Sequence, residues 1–330
     1  MPGERVCVLG AGAWGTALAI QAARAGAAAQ VSLWARDPAR AATMQQERRN
    51  ARHLPAAALP PAIEVTADAE AALSGAALVV LAVPAQHLRA VLASLPQALP
   101  PLVVVAKGVE TGSLKLPLEV VADLRPRLAA AVLSGPNFAH EVAAGLPAAS
   151  VVAGFDPGLR ENAATLLGAP GFRLYGSDDP MGVQVGGAAK NVIAVAAGAV
   201  IGAGLGENAR AALVTRGLAE ISRLAVALGG RAETVAGLSG LGDLLLTATG
   251  PASRNTSLGM ELGRGRSLQA TLSDRVGVTE GVATAPALVA RAAASGIELP
   301  ICQAVADLLD GSVTVAEAMA RLLARPRRDE

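Results

Sequence analysis

Lysine is nearly missing from this 330-residue chain: of 28 Lys and Arg residues, only Lys107, Lys115 and Lys190 are lysine. Aromatic residues make up 2%. That excludes a core built on large rings and leaves Ala, Val and Leu to fill it, side chains small enough for close-packed helices. Cysteine is confined to Cys7 and Cys302, both in apolar stretches, which excludes a disulfide framework and predicts buried thiols in a reducing compartment. A net charge of +1 excludes broad electrostatic attraction to nucleic acid or to a membrane surface. No leader segment is expected, because the first apolar run breaks at a Gly-rich turn by residue 12. The longest apolar stretch, residues 192–206, is short for a membrane span and rich in Gly. These absences predict a cytoplasmic protein with no nucleic-acid partner and no stable membrane insertion.

What is present is a large apolar content, 52%, in a length that predicts two domains. Residues 5–9, RVCVL, lead into Gly10-Ala11-Gly12-Ala13-Trp14-Gly15. Residues 16–25 carry helix formers, and Gly26 is placed to end that helix. Residues 30–34 read as a second strand, and further apolar runs fall at 77–83, 102–106, 130–133 and 150–153. Uniformly apolar strands separated by helices predict a parallel sheet covered on both faces. The expected fold class is α/β, with a doubly wound domain over residues 1–182. From about residue 181 strand signals fade. Residues 213–228 have helical apolar spacing ended by Gly229-Gly230, and residues 285–294 and 301–309 are further helices. An all-α domain is expected over residues 183–330. The final segment, 325–330, reads as a frayed mixed-charge tail.

The turn Gly10, Gly12, Gly15 has GxGxxG spacing, after a strand and before a helix, as dinucleotide binding requires. Gly10 permits the tight turn, Gly12 lets backbone approach a pyrophosphate, and Gly15 lets helix pack on strand. A helix N-terminus adds unpaired N–H groups and the positive end of a dipole. The second strand ends Trp34-Ala35-Arg36-Asp37. An acid there would bond a ribose 2′-OH, whereas Arg36 suits a 2′-phosphate. Asp37 is placed to cap a helix at Pro38. NADP(H) is favoured without excluding NAD(H), and Arg36 as a solvated loop charge is the plain alternative.

Lys107 follows the apolar run 102–106, and Lys190 is embedded in GGAAKNVI. An ammonium can give and take a proton where a guanidinium cannot. The alternative is two lysines whose stems lie on the core while their heads reach water. Gly135-Pro136-Asn137 follows another strand and suits a turn with exposed N–H groups. His140, beside Glu141, reads more readily as exposed than as an acid/base. In the helical half, Asp243 lies in Leu-rich sequence with Thr247 four residues on. A buried carboxylate wants a partner, and Lys190 is the natural one. Ser253-Arg254-Asn255 has the donors for a phosphate and reads equally as a solvated loop.

Taken together, GAGAWGTALA at 10–19, LWARD at 33–37, AKGVE at 106–110, SGPNFAHE at 134–141, GGAAKNVIAVAAG at 186–198, LSGLGDLLLT at 238–247, SRN at 253–255 and TEG at 279–281 make the chain resemble the bacterial NAD(P)-dependent glycerol-3-phosphate dehydrogenases. The resemblance spans nearly the whole length. It implies a Rossmann-like N-terminal domain followed by an all-α domain like the C-terminal one of 6-phosphogluconate dehydrogenase. It also implies reversible reduction of dihydroxyacetone phosphate to sn-glycerol 3-phosphate, which feeds glycerophospholipid synthesis, in a homodimer needing no metal. By the same resemblance Lys190 is the catalytic acid/base. Lys107, Gly135, Asn137, Asp243, Ser253, Arg254 and Asn255 line the substrate site. Gly10, Gly12, Ala13, Trp14, Gly15, Arg36, Lys107, Ala139, Arg254, Val278 and Glu280 meet the cofactor. The chain departs from common family choices at Ala13, often Ser, at Asn137, often a hydroxyl residue, and at His140, a Lys in some relatives. Two other classes stay open on the residues alone: a sibling dehydrogenase acting on a hydroxy acid, and a dinucleotide sensor without turnover.

Overall fold

A computed structural model describes residues 4–250, 252–275 and 277–326; the expected fraying of residues 327–330 falls outside them, while Arg325 pairs with Glu298 at 2.9 Å. The chain divides into two compact units, Met1–Lys107 with Pro117–Val183, and Gly108–Leu116 with Gln184–Glu330.

The strands of the first unit are β1 (Glu4–Leu9), β2 (Ala28–Trp34), β3 (Arg49–Asn50), β4 (Leu54–Ala58), β5 (Ile63–Thr66), β6 (Ala76–Leu81), β7 (Leu102–Val104), β8 (Ala130–Ser134), β9 (Ala148–Ala153) and β10 (Phe172–Ser177). Its helices are α1 (Ala13–Ala25), α2 (Pro38–Glu47), α3 (Ala69–Leu73), α4 (Ala85–Ser94), α5 (Pro117–Leu124), α6 (Ala139–Ala144) and α7 (Pro157–Leu167). Eight strands form one sheet in the order β10-β9-β8-β7-β6-β1-β2-β5, and β3 and β4 form a separate hairpin. Strand order reverses beside β1, so the loop after β1 opens at the switch point where doubly wound sheets bind ligands. Val6, Val8, Leu33, Leu78 and Val80 are fully buried at the sheet's centre, each worth about 1.5–3 kcal/mol of burial.

Two expectations need correction. The sheet is not wholly parallel, since β9 runs antiparallel to β8. The six residues of α6 advance about 9 Å, less than half of the roughly 20 Å length of a strand, so the chain re-enters near the end it left. Also, β5 and β10 escaped the apolar-run reading. They are the two edge strands, and their burial alternates or is sparse, because one flank and part of one face meet water.

The second unit is helical. Its elements are α8 (Pro180–Gly202, whose first turn lies in the first unit), α9 (Glu207–Ala227), α10 (Ala232–Ala236), a π-helical turn (Leu238–Gly242), α11 (Asp243–Ala248), α12 (Arg254–Gly263), α13 (Leu268–Ser273), α14 (Glu280–Ala294), α15 (Pro300–Asp310) and α16 (Val315–Leu323). At 23 residues α8 is long and apolar enough to cross a membrane, but 89% of its most apolar window is buried within the fold, so it is the core helix of this unit. The apolar stretch 192–206 thus understates that helix, which begins twelve residues earlier and stops at Gly202. Composition explains how α8 packs. A Cβ on Gly198 would lie 2.0 Å from the Thr256 carbonyl oxygen, and one on Gly259 would lie 2.0 Å from that of Val195. Only glycine lets α8 and α12 approach so closely.

Candidate active site

The turn after β1 is built as the sequence predicts. Gly10 has φ +119°, and a Cβ there would meet the Ala82 carbonyl oxygen at 2.4 Å. A Cβ on Gly15 would meet the Gly10 carbonyl oxygen at 2.0 Å. Gly12 differs: its φ is −75°, and a Cβ there would touch no protein atom within 4 Å. Nothing inside the protein requires glycine at residue 12, so the space it leaves suits a ligand. Gly12 is also the N-cap of α1 and supplies no side-chain cap, leaving the first N–H groups of α1 and the positive end of its dipole open to an anion. Ala13 begins the helix, and the indole N–H of Trp14 is buried without a hydrogen-bond partner.

At the end of β2, Arg36 is exposed. Asp37 caps α2 through the Arg40 N–H at 3.2 Å. Arg40 turns its guanidinium back to the Ala11 carbonyl. Burial, with Arg52 nearby, pulls the Arg40 pKa below its ordinary value, partly countered by Asp37. Lys107, half-buried after β7, donates to the Gly135 carbonyl at 3.1 Å. A Cβ on Gly135 would sit 2.8 Å from Ser150 Cα. Asn137 donates to Ser150 Oγ at 2.5 Å and has its own Oδ1 buried without a partner. Ala139 opens α6. His140 is exposed and stacks on Phe138 with ring centroids 5.7 Å apart, outside these polar contacts. Cys7 and Cys302 are both buried and free, and burial pushes the Cys7 thiol up to about 12.

In the helical unit Lys190 is buried on α8, and its Nζ meets Asp243 Oδ1 at 3.0 Å and Thr247 Oγ1 at 2.8 Å. The Thr247 hydroxyl donates to the Asp243 carbonyl at 2.6 Å, with Asp243 Oδ1 at 3.3 Å. The π-helical turn just before Asp243 arises because Gly242 N–H bonds to Gly237 at 3.0 Å, five residues back, a geometry common at functional sites. Gly240 makes that turn fit, since a Cβ there would be 1.9 Å from the Val235 carbonyl oxygen. Ser253 is no loop residue: it is the N-cap of α12, accepting the Thr256 N–H at 3.3 Å. Arg254 is exposed at the first position of that helix, so two donor-bearing residues stand at a positive helix end. Asn255 faces inward, donating to Asn191 Oδ1 at 2.8 Å and accepting the Gly281 N–H at 3.0 Å. It thereby ties the residue after Lys190 to the first turn of α14, which Glu280 opens. Val278 is partly exposed just upstream. Thr247, Asn191, Arg40 and Asn50 carry contacts that the sequence reading did not assign. Thr247 lay one helical turn from Asp243, and that spacing was the available signal.

Each unit thus presents its own chemistry, an anion cradle on a doubly wound sheet in one and a buried, proton-bearing lysine in the other, and the protein class that combines them is a nicotinamide-dependent oxidoreductase. Residues 5–159 and 179–320 match the models of the N- and C-terminal domains of NAD-dependent glycerol-3-phosphate dehydrogenase. The chain belongs to this family. It is 56% identical over 323 residues to a glycerol-3-phosphate dehydrogenase (NAD(P)+) of Acidiphilium cryptum, covering 98% of this chain and 97% of that one. It is 51% identical to the enzyme of the same name from Caulobacter vibrioides, covering 99% of each. The crystal structure of glycerol-3-phosphate dehydrogenase from Coxiella burnetii superposes with a TM-score of 0.93 at 36% identity, covering 98% of this chain and 100% of that one.

Proposed function

We propose that this chain catalyses the reversible reduction of dihydroxyacetone phosphate to sn-glycerol 3-phosphate, with Lys190 as the acid/base. Dehydrogenase activity and use of NAD(P) follow from family membership. When bound, the dinucleotide supplies the hydride. The observation that carries the reading is the buried Lys190 ammonium, fixed by Asp243 and Thr247. Reduction puts negative charge on the substrate C2 oxygen. An ammonium held beside that oxygen stabilises the charge and delivers the proton. Asp243 and Thr247 restrict the ammonium to one position, so less freedom is lost on reaction. In the oxidative direction the same amine accepts the proton.

Residues 1–182 act as the dinucleotide-binding domain and residues 183–330 as the substrate domain. Gly10, Gly12, Ala13, Trp14 and Gly15 hold the pyrophosphate, supported by the uncapped start of α1. Arg36 reads a 2′-phosphate, so NADP(H) is preferred to NAD(H). Ala139, Val278 and Glu280 complete the cofactor contacts, and Lys107 serves both cofactor and substrate. Ser253, Arg254 and Asn255 take the substrate phosphate at the start of α12, while Gly135 and Asn137 line the substrate. The enzyme works as a cytoplasmic homodimer. Following NADPH oxidation on adding dihydroxyacetone phosphate tests the reaction, with unphosphorylated dihydroxyacetone as the comparison. No turnover with the phosphate ester, or equal turnover with both substrates, overturns the reading.

A further inference from the structure

The glycine-rich turn has a scaffold of its own. The Ala11 carbonyl receives two donors from outside the turn: the Arg40 guanidinium from α2, and Asn50 Nδ2 from β3 at 3.0 Å. The same Asn50 nitrogen donates to Thr16 Oγ1, in the first turn of α1, at 2.8 Å. Asn50 is 1% exposed, and its Oδ1 accepts the His53 N–H at 3.3 Å within the hairpin turn. Its amide therefore joins three pieces: the β3–β4 hairpin, the peptide following Ala11, and the start of α1.

This linkage has a directional consequence. A trans peptide points its C=O and the next N–H in opposite directions. With the Ala11 carbonyl held toward Asn50 and Arg40, the Gly12 N–H is aimed away from them. Two donors on one carbonyl, one of them charged, also polarise that peptide and strengthen the N–H as a donor. Among the three glycines of the turn, Gly12 is the one whose missing side chain no protein atom requires. We propose that Asn50 is a positioning residue for the cofactor: it fixes the peptide joining Ala11 to Gly12 so that the turn's N–H groups are set for a pyrophosphate before one arrives. The inference rests on reading that turn as the dinucleotide site.

Asn50→Asp separates the two roles of this side chain. It keeps the oxygen that accepts from His53 and removes both donations. In the full-length protein, the dissociation constants of NADPH and NADH are expected to rise together by roughly tenfold, the order of a backbone residue that must be ordered on binding. At saturating cofactor, kcat stays near wild type. Thr16→Val removes the second acceptor without adding charge and should weaken both dinucleotides by about threefold, a fraction of one hydrogen bond. Binding of adenosine 2′-monophosphate, which has no pyrophosphate, should be unchanged in Thr16→Val. The proposal is overturned if both variants bind NADPH as wild type does while only the melting temperature falls, if the loss is confined to NADPH, or if adenosine 2′-monophosphate weakens equally. Should Asn50→Asp not fold, Thr16→Val decides alone. Wild-type protein that binds neither dinucleotide overturns the cofactor reading itself, a distinct result.

Discussion

At the scale of single residues, the proposed chemistry rests on Lys190, a buried lysine held by Asp243 and Thr247. On the proposed mechanism, Lys190→Ala removes both the proton source and the charge facing the developing oxyanion. Turnover should fall by about 10³-fold or more, in the range for a general acid with electrostatic stabilisation. NADPH binding measured by fluorescence should hardly change. A variant turning over near the wild-type rate would remove Lys190 from the mechanism. The role proposed for Arg36 concerns a different quantity, the preference between the two dinucleotides. Its guanidinium is exposed, so a charge-assisted bond to a 2′-phosphate belongs at the lower end of about 1.5–3 kcal/mol, roughly tenfold in affinity. Arg36→Glu should lower kcat/KM for NADPH by roughly that factor and leave NADH equal or improved. A parallel loss with both cofactors would show that Arg36 supports the loop and does not read the phosphate.

At the scale of elements, some glycines are demanded by protein packing and others, Gly12 among them, are not. Gly259 faces α8, where a Cβ would lie 2.0 Å from the Val195 carbonyl oxygen. Gly259→Ala must push the two helices apart, and overpacking of this kind costs about 1–3 kcal/mol, so the melting temperature should drop by several degrees. Gly12→Ala is the opposite case. Residue 12 has a φ that alanine accepts and free space for a methyl group, so thermal stability should hold or rise slightly. Dinucleotide affinity should nevertheless fall, because the methyl group occupies the approach to the backbone. If Gly12→Ala keeps full affinity, the pyrophosphate does not lie against that turn.

At the scale of the whole molecule, one buried carboxylate links folding to pH. Glu220 on α9 is 4% exposed and accepts the N–H groups of Ile301 and Cys302, at 2.8 and 3.3 Å, at the start of α15. Burial raises its pKa above the ordinary 4.5, outweighing the lowering by those two N–H groups and by Arg223. Between 4.5 and the raised folded value the native state holds more protons than the unfolded one, so this residue's contribution to stability is complete below 4.5 and is lost as pH rises through the folded value. Glu220→Gln has no such proton. The melting temperature of the variant minus that of wild type should therefore climb across this window and flatten above it. Two curves that stay parallel from acid to neutral pH would remove Glu220 from the titration.

Much of this architecture was legible because local rules and global packing agree. The strand–glycine–helix opening, the cap at Asp37, the stop at Gly26 and the need of Asp243 for a cation are short-range consequences of residue type, and the chain displays them in order. Edge strands β5 and β10 were hidden because partial exposure dilutes their apolar pattern. The reversal at β9 was hidden because direction depends on how far a short helix carries the chain. The sequence by itself determined the central strands and the main helices, the closeness of helix packing that small residues allow, and the candidate proton donor. Only the tertiary structure decided that Thr247 shares the Lys190 ammonium, that Asn255 turns inward to Asn191 and Gly281, and that Asn50 and Arg40 meet on the Ala11 carbonyl. Those contacts join residues from 26 to 64 positions apart, beyond any Thr247–Asp243 type of helical spacing. Which polar groups meet across such gaps is set by packing that excludes water and makes an unpaired buried donor costly.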